Sequence, residues 1–232
     1  MSRNLRVRQK TLMPVLCLAG VALNIAVNRF FVYYLGLPLF MDTIFTVAVT
    51  LIGGVFWGGL CGALSTIIGK TIWFSDWISY LFFLCSIATA LVTWLFIRFF
   101  PSELNLSSEQ TKYEKMLHTA GIEGRSGSLA SPTKLAASMN RVIVLILLSF
   151  ALCLAISVLG GLISGLILVI NPHQIGERVL AGLISDTMSG GAVPVFLVEI
   201  FSRIPVNIID RLIAAFGGYG AALVLKKAAV AS

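Results

Sequence analysis

The sequence predicts an all-α, polytopic membrane protein of about six transmembrane helices, and three observations predict it. Of 232 residues, 58% are hydrophobic and 12% charged, with a mean hydropathy of +0.95. A soluble domain carries roughly twice that share of charge, and a soluble core could not hide this much apolar surface. Apolar runs close to bilayer length recur along the chain, broken by short polar stretches. Within them, glycine and alanine repeat at a spacing of four, which lets helices approach closely in lipid. We expect one transmembrane domain over residues 1–232, with a cytoplasmic loop at about 102–138.

The first span is the run Leu12–Leu35, preceded by Arg3, Arg6, Arg8 and Lys10. A basic patch before an apolar stretch also opens a signal peptide, but this run is too long for one and further spans follow. Asn24 and Asn28 stand one helical turn apart, so both are expected on a face turned into the bundle. Ala22 and Ala26 form a small-xxx-small pair suited to close helix contact.

Leu39–Phe56 and Trp57–Trp73 are read as the second and third spans, joined as a tight hairpin. Each is near the minimum for a bilayer core of about 30 Å. Gly54, Gly58 and Gly62 give this hairpin a smooth packing face. Lys70, Trp73, Ser75, Asp76, Trp77 and Tyr80 form a polar and aromatic break. Its Trp and Tyr residues suit a membrane-interface belt or a wall on which a ligand stacks.

The fourth span is Ile78–Phe100. Ser102–Ser138 is different in kind, with eight charged residues beside Gly121, Gly124, Gly127 and Pro132. It is expected to be a solvated loop. The fifth span lies within Met139–Ile170, where Gly160, Gly161 and Gly165 are expected to bend the helix or admit a close neighbour. Asn171–Arg203 is mixed, and the last span is expected to start near Pro205 and end at Lys226 and Lys227. Ala214, Gly218 and Ala222 line one of its faces.

The positive-inside rule sets the orientation. With a cytoplasmic N-terminus and six spans, twelve of the seventeen basic residues fall on the inner side. Orientation therefore accounts for the +7 net charge, and nothing in it argues for nucleic acid as a partner. Both termini are expected to be cytoplasmic, in a cell inner or plasma membrane. Cys17, Cys61, Cys85 and Cys153 all fall in apolar runs without metal-ligand spacing, and read as small buried hydrophobes. His118 and His173 stand far apart in the sequence. No metal, no cofactor and no catalytic residue is expected.

This orientation gathers the unusual polar residues in the outer half. Asn28 and Arg29 end the first span, and Asp42 opens the second. Lys70–Tyr80 joins the third and fourth, Asn171–Arg178 follows the fifth, and Asn207–Arg211 opens the last. An apolar pocket with a few fixed polar groups is what a small ligand needs. The alternative for Asp42, Arg29, Asp210 and Arg211 is that they only neutralise one another.

Two stretches resemble the substrate-binding (S) components of energy-coupling-factor (ECF) vitamin transporters. Leu37-Pro38-Leu39-Phe40-Met41-Asp42-Thr43, with the Gly53–Gly62 hairpin, looks like the first loop and next two spans of the riboflavin-type S component. Ile204-Pro205-Val206-Asn207-Ile208-Ile209-Asp210 looks like the Pro-Phe-Asn start of that family's sixth helix, with Val206 in place of Phe.

The resemblance implies an S-component-like bundle that binds a water-soluble vitamin or precursor, riboflavin-like molecules included, on its outer face. It implies two partners within an ABC importer, a transmembrane coupling protein and the ATPase subunits, with the coupling protein docking on Ala22 and Ala26. It also implies ligand contacts at Asp42, Trp77, Tyr80, Asn171, Asn207 and Asp210, to which the residue reading adds Asn28 and Trp73. Two other classes compete. One is a sensory or anchoring membrane module without transport, with 102–138 as its output. The other is an intramembrane enzyme, for which His173 with Glu177 or Asp186 lacks a convincing second ligand or nucleophile.

Overall fold

The computed structural model describes residues 3–37, 39–73, 77–104, 106, 132–170 and 195–231. Among them all regular structure is helical. Five helices are long and apolar enough to cross a membrane: Leu12–Tyr34, Val55–Ile72, Trp77–Phe99, Ser138–Ile167 and Glu199–Lys226.

The first helix, α1, spans Arg3–Arg29 and runs on through a π-helical turn at Phe30–Tyr34. The expected second span is only partly helical. Its helix, α2, covers Ile44–Gly53, ten residues, or about 15 Å of rise. Residues 39–43, apolar enough to read as helix, are irregular backbone instead. The expectation of a sixth full-length helix over Leu39–Phe56 is thus corrected to a half-length one.

Gly54 ends α2 with φ +84°, a left-handed conformation that favours glycine. Helix α3 starts at once and runs Val55–Ile72. A 3-10 segment at Trp77–Phe82 leads into α4 at Phe83–Phe99.

The single turn Pro101–Leu104 folds back against the bundle, and Leu104 and Leu106 are buried in the core. Helix α5 covers Pro132–Ile170 and α6 covers Val195–Ala231. Two boundaries therefore move. The expected loop gives way to helix at Pro132, since proline suits a first helical position, where its missing N–H costs nothing. The last helix starts ten residues before Pro205, which sits inside it. There it forgoes one backbone hydrogen bond, which the long packing seam with α5 outweighs. The expected loop positions 107–131 and the stretch 171–194 lie outside the described residues.

Helix α2 is the hub, packing against α1, α3, α4 and α6. Every residue from Thr46 to Leu51 is buried. Apolar burial alone drives little association in lipid, so contact distance matters most. A Cβ on Gly58 would fall 1.8 Å from Thr50 Oγ1, and one on Gly62 would fall 2.9 Å from Ser86 Cβ. Gly218 meets Val47 in the same way, and Gly161 lets α5 rest on the backbone of Ile200.

Gly58 and Gly62 of the expected hairpin face, and the face of the last helix, are therefore packing seams, whereas Gly54 has no neighbour within 4 Å of its would-be Cβ and serves the turn instead. Ala214 and Ala222, one turn either side of Gly218, are wholly buried. The hydroxyls buried along these seams donate to the carbonyl one turn back, as Thr50 does to Thr46, Ser65 to Cys61 and Thr93 to Thr89. In that way polar side chains enter the bundle without unsatisfied donors.

Candidate functional site

The irregular segment leads into the α2–α3 hairpin. Thr50 lies against Gly58 and Thr46 against Gly62. Asp42 comes two residues before the start of α2, beyond Thr46 on this hairpin. Residues 39–43 are non-helical backbone in which Met41 and Thr43 are buried, and buried peptide groups need partners from the protein.

Side chains from α1 and α6 supply those partners. Asn28 donates to the Phe40 carbonyl at 2.5 Å. The Met41 N–H donates to Asp210 Oδ1 at 2.8 Å. The Phe45 N–H, in the first turn of α2, donates to Asn24 Oδ1 at 2.9 Å, so a side chain of α1 caps α2 from outside. Asn24 also donates to Thr46 Oγ1 at 3.0 Å and to Ser65 Oγ at 3.2 Å, tying α1 to α2 and α3.

Met41 is held at φ +47° while only 1% exposed. A bulky residue in this conformation is strained and persists where its surroundings over-determine it.

Arg211 organises the charges. It is 3% exposed, and Asp210 is fully buried. Its Nη2 lies 2.5 Å from Asp210 Oδ2 and 3.7 Å from Asp42 Oδ1, and its Nη1 donates to Thr43 Oγ1. Asp42, which lies outside the five long helices, keeps 36% of its side chain open. Its Oδ1 is nevertheless closed to solvent and accepts no hydrogen bond among the described residues; the same holds for Arg211 Nε as a donor.

The alternative of mutual neutralisation thus describes three of its four residues: Asp42, Asp210 and Arg211 form one ionic group. Arg29 does not join them. Its guanidinium lies 3.3 Å from the Tyr33 ring centroid and 4.8 Å from that of Trp73, rings stacked 6.2 Å apart.

On the other side of Asp42, α3 brings Lys70 into its electrostatic range. The Lys70 ammonium lies 5.7 Å from the Phe82 ring, and Arg203 of α6 lies 5.6 Å from the same ring. Arg203 also donates to Ser164 and lies 3.8 Å from Glu199.

Of the residues singled out from sequence, Asn28, Asp42 and Asp210 meet at the irregular segment. Trp73 belongs to the Arg29–Tyr33 stack beside it. The Tyr80 hydroxyl lies 3.2 Å from Thr71 Oγ1. Trp77 is 73% exposed at the bundle surface. Asn207 is buried and donates to Ser157 Oγ at 2.9 Å, so it serves the α5–α6 seam. Asn171 lies outside the described residues, as do His173, Glu177 and Asp186. Ala22 and Ala26 are exposed on the outer face of α1, opposite the buried Cys17, Val21 and Asn24.

Sequence reasoning gave Arg211, Lys70, Arg203 and Thr43 no site role. The signal for the three basic residues was present, since a cation inside an apolar helix needs a partner; the strain at Met41 had none. Among the described residues no group of three or more His, Cys, Asp or Glu side chains is placed to hold a metal ion. A surface groove of about 460 Å³, lined by Trp94, Ile97, Arg98 and Pro101, opens at the opposite end of the bundle. Compared with known families, curated proteins and solved structures, the chain matches none.

Proposed function

We propose that the chain is the substrate-binding membrane subunit of an ECF-type ABC importer, taking a water-soluble vitamin or precursor from the outer side. One observation carries the reading: the non-helical segment 39–43, with Met41 and Thr43 buried and its backbone held by Asn28 and Asp210. Broken helices at membrane depth are where transporters build binding sites, because unwound backbone is tolerated only where it lines a protein-enclosed or wet cavity. The closed-off Asp42 Oδ1 and Arg211 Nε add unsatisfied polar atoms at the same place, and such atoms are costly unless something bonds to them.

In this reading the ligand rests on the loop and the Asp42–Arg211 group, with Trp73 and Tyr80 on its flank. The outward Ala22–Ala26 face of α1 is left for the coupling protein, whose ATPase subunits supply the energy. The subunit itself then needs no catalytic residue.

The test is binding of a panel of water-soluble vitamins and precursors to the purified chain in lipid nanodiscs. At least one member is expected to bind in the micromolar range or tighter. The Asp42→Asn variant is expected to weaken that binding about tenfold, the share of one charge-assisted hydrogen bond. A panel with no binder overturns the proposal.

A further inference from the structure

We infer that the Lys70–Phe82–Arg203 group is a seat for an anionic group, a carboxylate or a phosphate, on the transported substrate. The inference rests on the importer reading and narrows its substrate class.

Three observations carry it. Lys70 is half-buried near the outer end of an otherwise apolar helix, and among the described residues its ammonium has no hydrogen-bond or ion-pair partner. An uncompensated cation in such a place is costly, and contact with the Phe82 ring replaces only part of its lost hydration. Next, a second cation, Arg203, approaches the same ring from α6 and is fixed there by Glu199 and Ser164. Two like charges on one ring repel, and an anion between them relieves the repulsion. Last, among the described residues the carboxylate whose charge acts on Lys70, Asp42, is committed to Arg211. Among the described residues at this end, the basic side chains Arg29, Lys70, Arg203 and Arg211 outnumber the acidic Asp42, Glu199 and Asp210.

The charges of Lys70 and Asp42 reach each other, and the seat is placed for one ligand to touch it and the irregular segment together. Its neutral part would rest on residues 39–43, and its anionic end would reach Lys70.

The experiment uses matched probes that differ in one anionic group: riboflavin against riboflavin 5′-phosphate, pyridoxine against its phosphate, panthenol against pantothenate, and nicotinamide against nicotinate. Binding is measured on the full chain in phosphatidylcholine nanodiscs. In at least one pair the anionic member is expected to bind about tenfold tighter. Lys70→Gln is expected to erase that preference while changing the neutral member's affinity less than about twofold, and Lys70→Arg to restore most of it.

A preference that survives Lys70→Gln, or neutral members that bind as tightly as anionic ones, overturns the seat and leaves the importer reading standing. Absence of binding by every probe in this set and in the broader vitamin panel overturns both. A headgroup is the other source of the same anion. If phosphatidylglycerol in the disc abolishes the preference, and itself binds in a Lys70-dependent way, the seat belongs to lipid and the substrate assignment falls.

Discussion

Arg211 is the residue on which the end of the bundle around residues 39–43 depends. Its one positive charge serves two carboxylates, one of them fully buried, and it bonds the loop hydroxyl of Thr43 as well. Removing a buried partner exposes the cost of the charges left behind, typically 3–5 kcal/mol. Arg211→Leu is therefore expected to lower the thermal midpoint of the purified protein by roughly 10 °C. Adding Asp42→Asn to the same chain should recover part of the loss, because one orphaned carboxylate is then neutral. If the double variant melts no higher than the single, Asp42 and Arg211 are not coupled. The sequence showed that these charges share a depth, but not which would pair: Arg29 was as good a candidate as Arg211. The choice is made by helix phase and by two aromatic rings, Tyr33 and Trp73, that claim Arg29 first.

At the scale of the element, the long helices were legible and the short one was not. Runs such as Val55–Ile72 and Ser138–Ile167 announce themselves by unbroken hydropathy. Leu39–Phe56 does so equally, yet Leu39, Phe40 and Met41 are not helical. What unwinds them lies elsewhere in the sequence: Asn28, twelve residues back, and Asp210, 169 residues on, take the loop's backbone groups. No local pattern carries that information. Likewise, Pro205 looks like a helix start because proline suits the first turn, while tertiary packing carries the helix through it.

The glycine seams were legible as faces, but their partners were not. They give a sharp contrast within one helix. Gly58 rests on Thr50, whereas a Cβ on Gly59 would meet nothing within 4 Å. Gly58→Ala must push α2 from α3 and is expected to cost about 1–3 kcal/mol. Gly59→Ala is expected to be neutral or slightly stabilising. Thermal unfolding of the two variants side by side checks this, and equal midpoints would mean that the α2–α3 contact is looser than described.

For the whole molecule, the question is whether the chain crosses the membrane an odd or an even number of times. Among the described residues five helices are long and apolar enough to cross, and five crossings would put the ends on opposite faces. Charge argues otherwise. Arg3, Arg6, Arg8 and Lys10 precede α1, and Lys226 and Lys227 close α6, so the positive-inside rule asks for both ends in the cytoplasm. Among the described residues, α2 is the further apolar helix that, with the chain before it, would bring the two statements into agreement as a sixth crossing. Ten helical residues supply about 15 Å, half of a core of about 30 Å. The stretch 36–43, at about 3.3 Å per residue when extended, is long enough to supply the rest.

A crossing made half of helix and half of irregular chain needs side chains to satisfy the irregular half, and Asn28 and Asp210 do this. The folding requirement and the candidate site are in this sense the same feature. Reporter fusions at both termini are accordingly expected to fall on the cytoplasmic side, and a reporter inserted after Leu37 on the outer side. Ends on opposite faces would show that α2 turns back without crossing, and would overturn the proposed outward-facing site.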